Sequence, residues 1–388
     1  MTNSEDKPKN FTSGLKGLGI IGITDITSSA ISALFWFYMA TLLGAEQYGQ
    51  VSYFLSIGSI VSTVSLLGSS NMLSVYLPKN IRLESTLYLI SIIIGLAAFA
   101  TLFFVFSNAS IGTYVIGMIF VGLAGSEIIA SRQYSSYPKY LISSKILMVV
   151  LSIGLYHMMG VNGVILGLGL ALFPYLGRIY KGFRETKIDF SLLRPRIGFM
   201  INSFILNISS AFKGSIDKLI IAPMVGFTLL GNYQLGLQFL AVMNMLPLIV
   251  FKYTLPQDAE GIPNKKLKRI TILSSVGIAA LSIFLAPVVI PSLFPKYTAA
   301  IEVIQIVSIS VVPFTISLIF MSEFLGNEKI RVILFGSGIF IAVLIISIVL
   351  LGRNFGINGI ASGIVFADIA EAIFYYLVYR FKVKNILR

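Results

Sequence analysis

Lys213, Asp217 and Lys218 sit inside an apolar run of this sequence that extends from Phe199 to Gly226. Ionisable groups at membrane depth are costly, so they usually face a partner or a watery cavity and mark a pathway. Lys213 and Asp217 are spaced i,i+4 and share one face of a helix, which Ser210 and Asn207 continue. The next run adds Gln234 and Gln238, again i,i+4, and Asn244 further along. Amides there suit hydroxyl-bearing ligands or hydrogen bonds between helices. Two more places carry acids. Asp25 stands among Thr24, Thr27, Ser28, Ser29 and Ser32, and Asp368 and Glu371 are i,i+3 in the last apolar run. Two close carboxylates repel, so this pair could exchange a proton or bind a cation. Glu127 and His157 lie near run ends and read as interfacial residues.

The elements that must position these residues are membrane spans. Of 388 residues, 56% are hydrophobic and only 12% charged, against about 25% charged in soluble domains. About 20 residues of helix cross a bilayer's hydrocarbon, and apolar runs recur twelve times, from 17–40 to 357–379. The expected fold is therefore an all-α polytopic membrane protein of about 12 transmembrane helices. With no cysteine and one histidine, thiolate and His-cluster metal sites are excluded, and no metal or other cofactor is expected.

The charges supply a topology. With the N-terminus inside, 25 of the 29 Lys and Arg fall in inner segments, 2 in outer loops and 2, Lys213 and Lys218, within a span. This positive-inside asymmetry puts both termini in the cytoplasm. It also explains the net charge of +13 as topology, which removes nucleic acid as a partner.

The longest inner loop, Arg178 to Arg196, divides the chain. The expected organisation is a tail over 1–16, a six-helix bundle over 17–180, a linker over 181–196, a second six-helix bundle over 197–379 and a tail over 380–388. The halves repeat: Gly44-x4-Gly49 matches Gly226-x4-Gly231, Gly160-Val-Asn-Gly163 matches Gly356-Ile-Asn-Gly359, and Leu77-Pro78 matches Leu255-Pro256. Six spans per half make the repeats parallel. Such duplicated bundles bind substrate where the halves meet and alternate access by rocking, here about a central cavity lined by spans 1, 2, 7 and 8.

Several stretches resemble one family. LLGAEQYGQVSYFLSIGSIVSTVSLLGSS from Leu42 is similar to the first-to-second span region of Wzx-type polysaccharide flippases. IDKLIIAPMVGFTLLGNYQL from Ile216 is similar to their seventh-to-eighth span region, and LFPKYTAAIEVIQI from Leu293 and GINGIASG from Gly356 also fit. The resemblance covers nearly the whole chain and implies a MATE-like fold of the multidrug/oligosaccharidyl-lipid/polysaccharide (MOP) superfamily. It further implies flipping of a lipid-linked oligosaccharide from the cytoplasmic to the outer leaflet of the cell membrane, for surface glycan assembly. Lys213 then becomes a contact for the substrate diphosphate, with Asp217 and Lys218 beside it and Asn207, Gln234, Gln238 and Asn244 toward the glycan. The plainer reading is a Lys213–Asp217 pair that only stabilises packing, with Lys218 snorkelling to the outer headgroups. Asp25, Asp368 and Glu371 are the candidates for coupling to H+ or Na+. Unlike lipid II flippases, no span of this chain carries an arginine at mid-depth.

The expected partners are the lipid-linked oligosaccharide, membrane lipids and glycan-assembly enzymes, with the protein a monomer. A MATE-like exporter of small cationic molecules is the alternative, and it predicts an acid-dominated cavity. An enzyme would need substantial outer loops bearing acid/base groups, and these are short and nearly uncharged. No phosphate-cradling Gly-Lys-Ser/Thr loop is present for direct use of ATP.

Overall fold

Hydrocarbon offers backbone N–H and C=O groups no water, so an apolar chain of this kind has to satisfy them within helices. The computed structural model describes residues 9–262 and 264–381, with side chains from Gly19 onward. Among these residues every regular element is a helix. The tails expected over 1–16 and 380–388 lie mostly outside the described residues; where described, helix already runs from Lys9 and continues to Arg380.

In chain order the helices are α1 (Lys9–Leu66), α2 (Ser69–Tyr76), α3 (Glu84–Phe106), α4 (Ala109–Ala130), α5 (Tyr137–Met159), α6 (Val161–Leu170) and α7 (Leu176–Glu185). They continue with α8 (Phe190–Leu193), α9 (Ile197–Met243), α10 (Met245–Ala259), α11 (Lys265–Leu293), α12 (Ala300–Ser308), α13 (Val311–Gly326) and α14 (Ile330–Arg380). Among the described residues eight stretches are long and apolar enough to cross a membrane, and α12 with α13, bent by 41°, makes a ninth. Three of the eight pass through a glycine with non-helical dihedrals, Gly44, Gly226 or Gly356, and each is two spans joined at a break. That brings the number to twelve, as composition leads one to expect.

The breaks also carry the internal repeat into the backbone. Gly44 (φ 72°, ψ 174°) and Gly226 (φ 82°, ψ 171°) share one conformation. Gly160 (φ 60°, ψ −137°) and Gly356 (φ 56°, ψ −135°) share another. Residues with a side chain rarely populate either region, because Cβ collides with neighbouring backbone. Matched glycines in matched sequence positions thus make matched turns, between spans 1 and 2 as between 7 and 8, and between 5 and 6 as between 11 and 12.

Two compact units form. One comprises the described residues up to Phe35 with Ile57–Ile208; the other comprises Trp36–Ser56 with Ser209 onward. In the first unit, α4 packs on α6 so closely that a Cβ at Gly117 would lie 2.7 Å from the Gly169 carbonyl oxygen. In the second, the helix starts after Gly44 and Gly226 cross at their small residues. A Cβ at Gly49 would lie 2.0 Å from the Phe227 oxygen, and one at Gly231 1.8 Å from the Ala45 oxygen. The same contact is made twice, each partner playing both roles.

Burial follows the logic of a bilayer. Phe104, Met158 and Phe284 are 81%, 80% and 78% exposed, whereas Ser52, Ser56, Ser65, Ser69 and Ser91 are buried. Lipid is as apolar as Phe, so large apolar side chains gain nothing by packing inward, while small residues let backbones approach. Of these hydroxyls, Ser52, Ser56 and Ser65 each donate to the carbonyl one turn back, and Ser69 and Ser91 bond each other.

Candidate functional site

The second unit gathers most of the ionisable residues singled out above on the spans of α9 and α14. Lys213 does not pair with Asp217, as its spacing suggested. Its ammonium donates to both oxygens of Glu371, at 2.8 and 2.6 Å, and lies 4.1 Å from the centre of the Phe340 ring. The Glu371 side chain is 4% exposed and that of Lys213 28%, so the cation is the accessible member of the pair. Tyr375, one turn beyond Glu371, donates its hydroxyl to the same carboxylate at 3.2 Å. Asp368 is buried one turn before Glu371 and feels the charges of both Glu371 and Lys213. Of the two close carboxylates of α14, Glu371 is the one that bonds the ammonium.

Asp217 looks elsewhere for its partners. It accepts from the Tyr233 hydroxyl at 2.8 Å and from Lys218 at 3.1 and 3.3 Å. Lys218 also donates to the Gly214 carbonyl at 2.9 Å, and its side chain is only 11% exposed. The expectation that Lys218 snorkels outward is thus corrected: a carboxylate next in sequence and a carbonyl one turn back hold it in place. The i,i+4 rule failed for Lys213 because it ranks partners on one helix and takes no account of a carboxylate brought up by another. Glu371 meets the ammonium with two oxygens, and Tyr233 completes the shell of Asp217 in its stead.

The amides divide. Gln234 and Asn244 each keep a buried side-chain carbonyl oxygen without a protein partner, and Gln238 is half-buried on the same segment of α9. These groups can accept a hydrogen bond without breaking one. Two residues belong to the first unit. Asn207 accepts from the Asn71 amide at 3.2 Å, and Asp25 accepts from the Tyr137 hydroxyl at 2.8 Å.

Glu127, expected at the interface, is buried. It takes a two-pronged contact from Arg178, with Arg178 Nη2 at 2.6 Å, and a hydroxyl from Ser131. Arg178 itself, assigned to the inner loop, is 8% exposed on α7. His157 stays exposed in the last turn of α5. Sequence reasoning also missed a network in the second unit: Lys268 bonds Asp258 at 2.8 Å and Glu323 at 2.9 Å, and Ser322 donates to Asp258. Asp258 two residues past Pro256, and Glu323 inside an otherwise apolar run, were the signals available. Among the described residues no group of His, Cys, Asp and Glu is arranged to hold a metal ion.

The Lys213–Glu371 pair can therefore do what a sealed pair cannot. Its cation can be approached by a ligand, its carboxylate has a tyrosine hydroxyl to fall back on, and a second carboxylate stands one turn away.

No protein-family model and no curated protein matches the sequence. Solved structures do resemble it in fold. "Lipid II flippase MurJ, inward closed conformation" aligns over 93% of this chain and 87% of its own with a TM-score of 0.79 at 13% identity. An inward-facing multidrug resistance MATE family transporter of the MOP superfamily covers 95% of this chain and 98% of its own, with a TM-score of 0.68 at 13% identity. An outward-facing structure with the same description covers 98% and 99%, with a TM-score of 0.65, also at 13% identity. The chain is a multi-pass, all-helical membrane protein with the fold these structures share.

Proposed function

We propose that the protein is a transporter that flips a lipid-linked, diphosphate-bearing oligosaccharide from the cytoplasmic to the outer leaflet by alternating access. The observation that carries this reading is Lys213. It is an ammonium within a membrane span, accessible to over a quarter of its surface, and bound to a carboxylate that a more highly charged anion can displace. Ionic groups of this kind persist in spans because they serve a pathway. Gln234, Gln238 and Asn244 offer acceptors and donors to sugar hydroxyls, while Asp25, Asp368 and Glu371 are the groups through which H+ or Na+ would be coupled. The fold shared with a lipid II flippase supports the substrate class. The protein acts as a monomer in the cell membrane beside glycan-assembly enzymes, with both termini cytoplasmic and no catalytic step of its own.

The test is flipping of a fluorescent lipid-linked oligosaccharide in proteoliposomes. Lys213→Ala should abolish it with the protein still inserted, and Lys213→Arg should keep part of the rate, since the charge stays while its shape changes. Asp217→Asn should cost less than Lys213→Ala, because Asp217 is held by Lys218 and Tyr233. Full transport by a stably inserted Lys213→Ala protein would remove the phosphate contact. Orientation is checked separately in the cysteine-free background: single cysteines at Asn108 and Lys296 should label from outside, and those at Asn80, Lys187 and Lys265 should not.

One observation favours a MATE-like exporter of small cations as a second reading. Asp217, Asp368 and Glu371 outnumber Lys213 and Lys218 in the cluster. Efflux of a cationic dye driven by an imposed H+ or Na+ gradient, with no flipping of any lipid-linked glycan, would select it.

A further inference from the structure

Tyr76 closes α2 with two cations on its ring. Lys79 Nζ lies 5.6 Å and the Arg196 guanidinium carbon 5.2 Å from the ring centre. Neither cation forms an ion pair with a carboxylate among the described residues. Lys79 is exposed, and Arg196 bonds only the Leu192 carbonyl. Of the acids in the same part of the chain, Glu84 and Glu185 are engaged by Arg82, at 2.8 and 3.9 Å, and Asp189 caps α8 by accepting from Ser191. Phe199 packs against the same ring in a T-shaped contact, with centres 5.4 Å apart. One turn or so further along the same two helices, Asn71 bonds Asn207 and a Cβ at Gly68 would lie 2.7 Å from the Met200 oxygen. The two cations are thus held near one another by a packed scaffold, although like charges repel.

The repeat sharpens the point. Tyr76-Leu77-Pro78-Lys79 corresponds to Thr254-Leu255-Pro256-Gln257 in the second half, where neither ring nor cation is present. Lys268 nearby is neutralised by Asp258 and Glu323. At the positions matching Tyr76 and Lys79 the second half has Thr254 and Gln257, so the ring-and-cation arrangement belongs to the first half.

We propose that Lys79 and Arg196, set by Tyr76, form a phosphate-binding site at the inner ends of spans 2 and 7 that takes the diphosphate headgroup of a lipid. The identity of that lipid as the transported substrate rests on the function proposed above. Arg196 supplies a planar fork and Lys79 a mobile point charge, the two complementary ways of holding phosphate oxygens. Their distances to a common ring bound the separation of the charges to a length that a diphosphate bridges, with a charge-assisted hydrogen bond of about 2.8 Å at either end. The Tyr76 ring gives both cations a favourable contact when no anion is bound.

The experiment measures binding of a fluorescent prenyl diphosphate to the full-length protein in phosphatidylcholine nanodiscs, with phosphatidylglycerol as competitor, alongside flipping in matched vesicles. The wild type should bind the prenyl diphosphate and resist displacement by phosphatidylglycerol. Lys79→Gln and Arg196→Gln should each weaken binding about tenfold, the worth of one charge-assisted hydrogen bond, and raise KM for flipping with kcat unchanged. Lys79→Arg should retain binding, and unaltered melting of each variant separates charge loss from misfolding. Lys213→Ala should lose turnover yet keep the binding at Lys79 and Arg196, which distinguishes this site from the one proposed in the span. Unchanged binding in the Lys79→Gln/Arg196→Gln double variant, or displacement by phosphatidylglycerol at equal concentration, would overturn the assignment. Absence of flipping by the wild type would sink the proposed function while leaving this binding result to stand or fall by itself.

Discussion

Two buried ion pairs, one in each unit, are built for different purposes. Arg178 and Glu127 meet fork to carboxylate, with side chains 8% and 10% exposed, and Ser131 takes up a remaining lone pair. Lys213 and Glu371 also share two contacts, but the cation is a point charge, 28% exposed, resting on a ring. A guanidinium loses directional bonds when its partner changes, whereas an ammonium reorients at little cost. The first pair is a rivet between α4 and α7. The second is a contact that a competing anion can enter. Exposure of one partner, more than the presence of charge, is what distinguishes the two pairs.

The contrast can be broken most forcefully in the first unit. Arg178→Ala leaves a buried carboxylate without its cation, which costs about 3–5 kcal/mol. It should lower the melting temperature in detergent sharply, and activity only in proportion to folded protein. A well-folded Arg178→Ala protein that is selectively inactive would reverse the assignment. Next comes the double variant Lys213→Met/Glu371→Leu. Replacing a buried pair by apolar residues is often neutral for stability, so melting should stay near wild type while flipping is lost. Retained flipping would make this pair a rivet too.

Smaller effects separate packing from backbone. Gly231→Ala drives a methyl into the Ala45 carbonyl, and overpacking of this kind costs about 1–3 kcal/mol. Gly49→Ala should match it, because the contact is reciprocal; a large inequality between the two would argue that the crossing is not symmetric. Gly226→Ala meets no neighbouring atom and is disfavoured only by its dihedrals, by about 1–3 kcal/mol. It should melt above Gly49→Ala and Gly231→Ala, which collide directly with neighbouring backbone.

The spans, their number and the matched turns were all legible in the sequence, because each rests on local properties: apolar length, and glycines at fixed offsets. Lys213, Asp217, Asp368 and Glu371 were legible as a set of costly charges. Their pairing was not. Lys213 and Glu371 are 158 positions apart, and no spacing rule links residues that only tertiary packing brings together. Arg178 was hidden for a related reason. Counting it with the inner loop explained its charge fully, so nothing in the sequence asked for the buried Glu127 beside it.

The reciprocal crossing at Gly49 and Gly231 bears on how the chain is made. Ribosomal synthesis delivers spans 1 and 2 long before span 8, and domains generally begin folding in that order. Until Phe227–Gly231 arrives, the Ala45–Gly49 segment presents small residues and close-packing backbone with nothing opposite. Trp36–Ser56 belongs to the unit that begins again only at Ser209, so that unit has to wait for the second half of translation. A nascent chain stalled after span 6 would carry this unmatched glycine face into the bilayer, where membrane chaperones and proteases could recognise an unfinished protein by it.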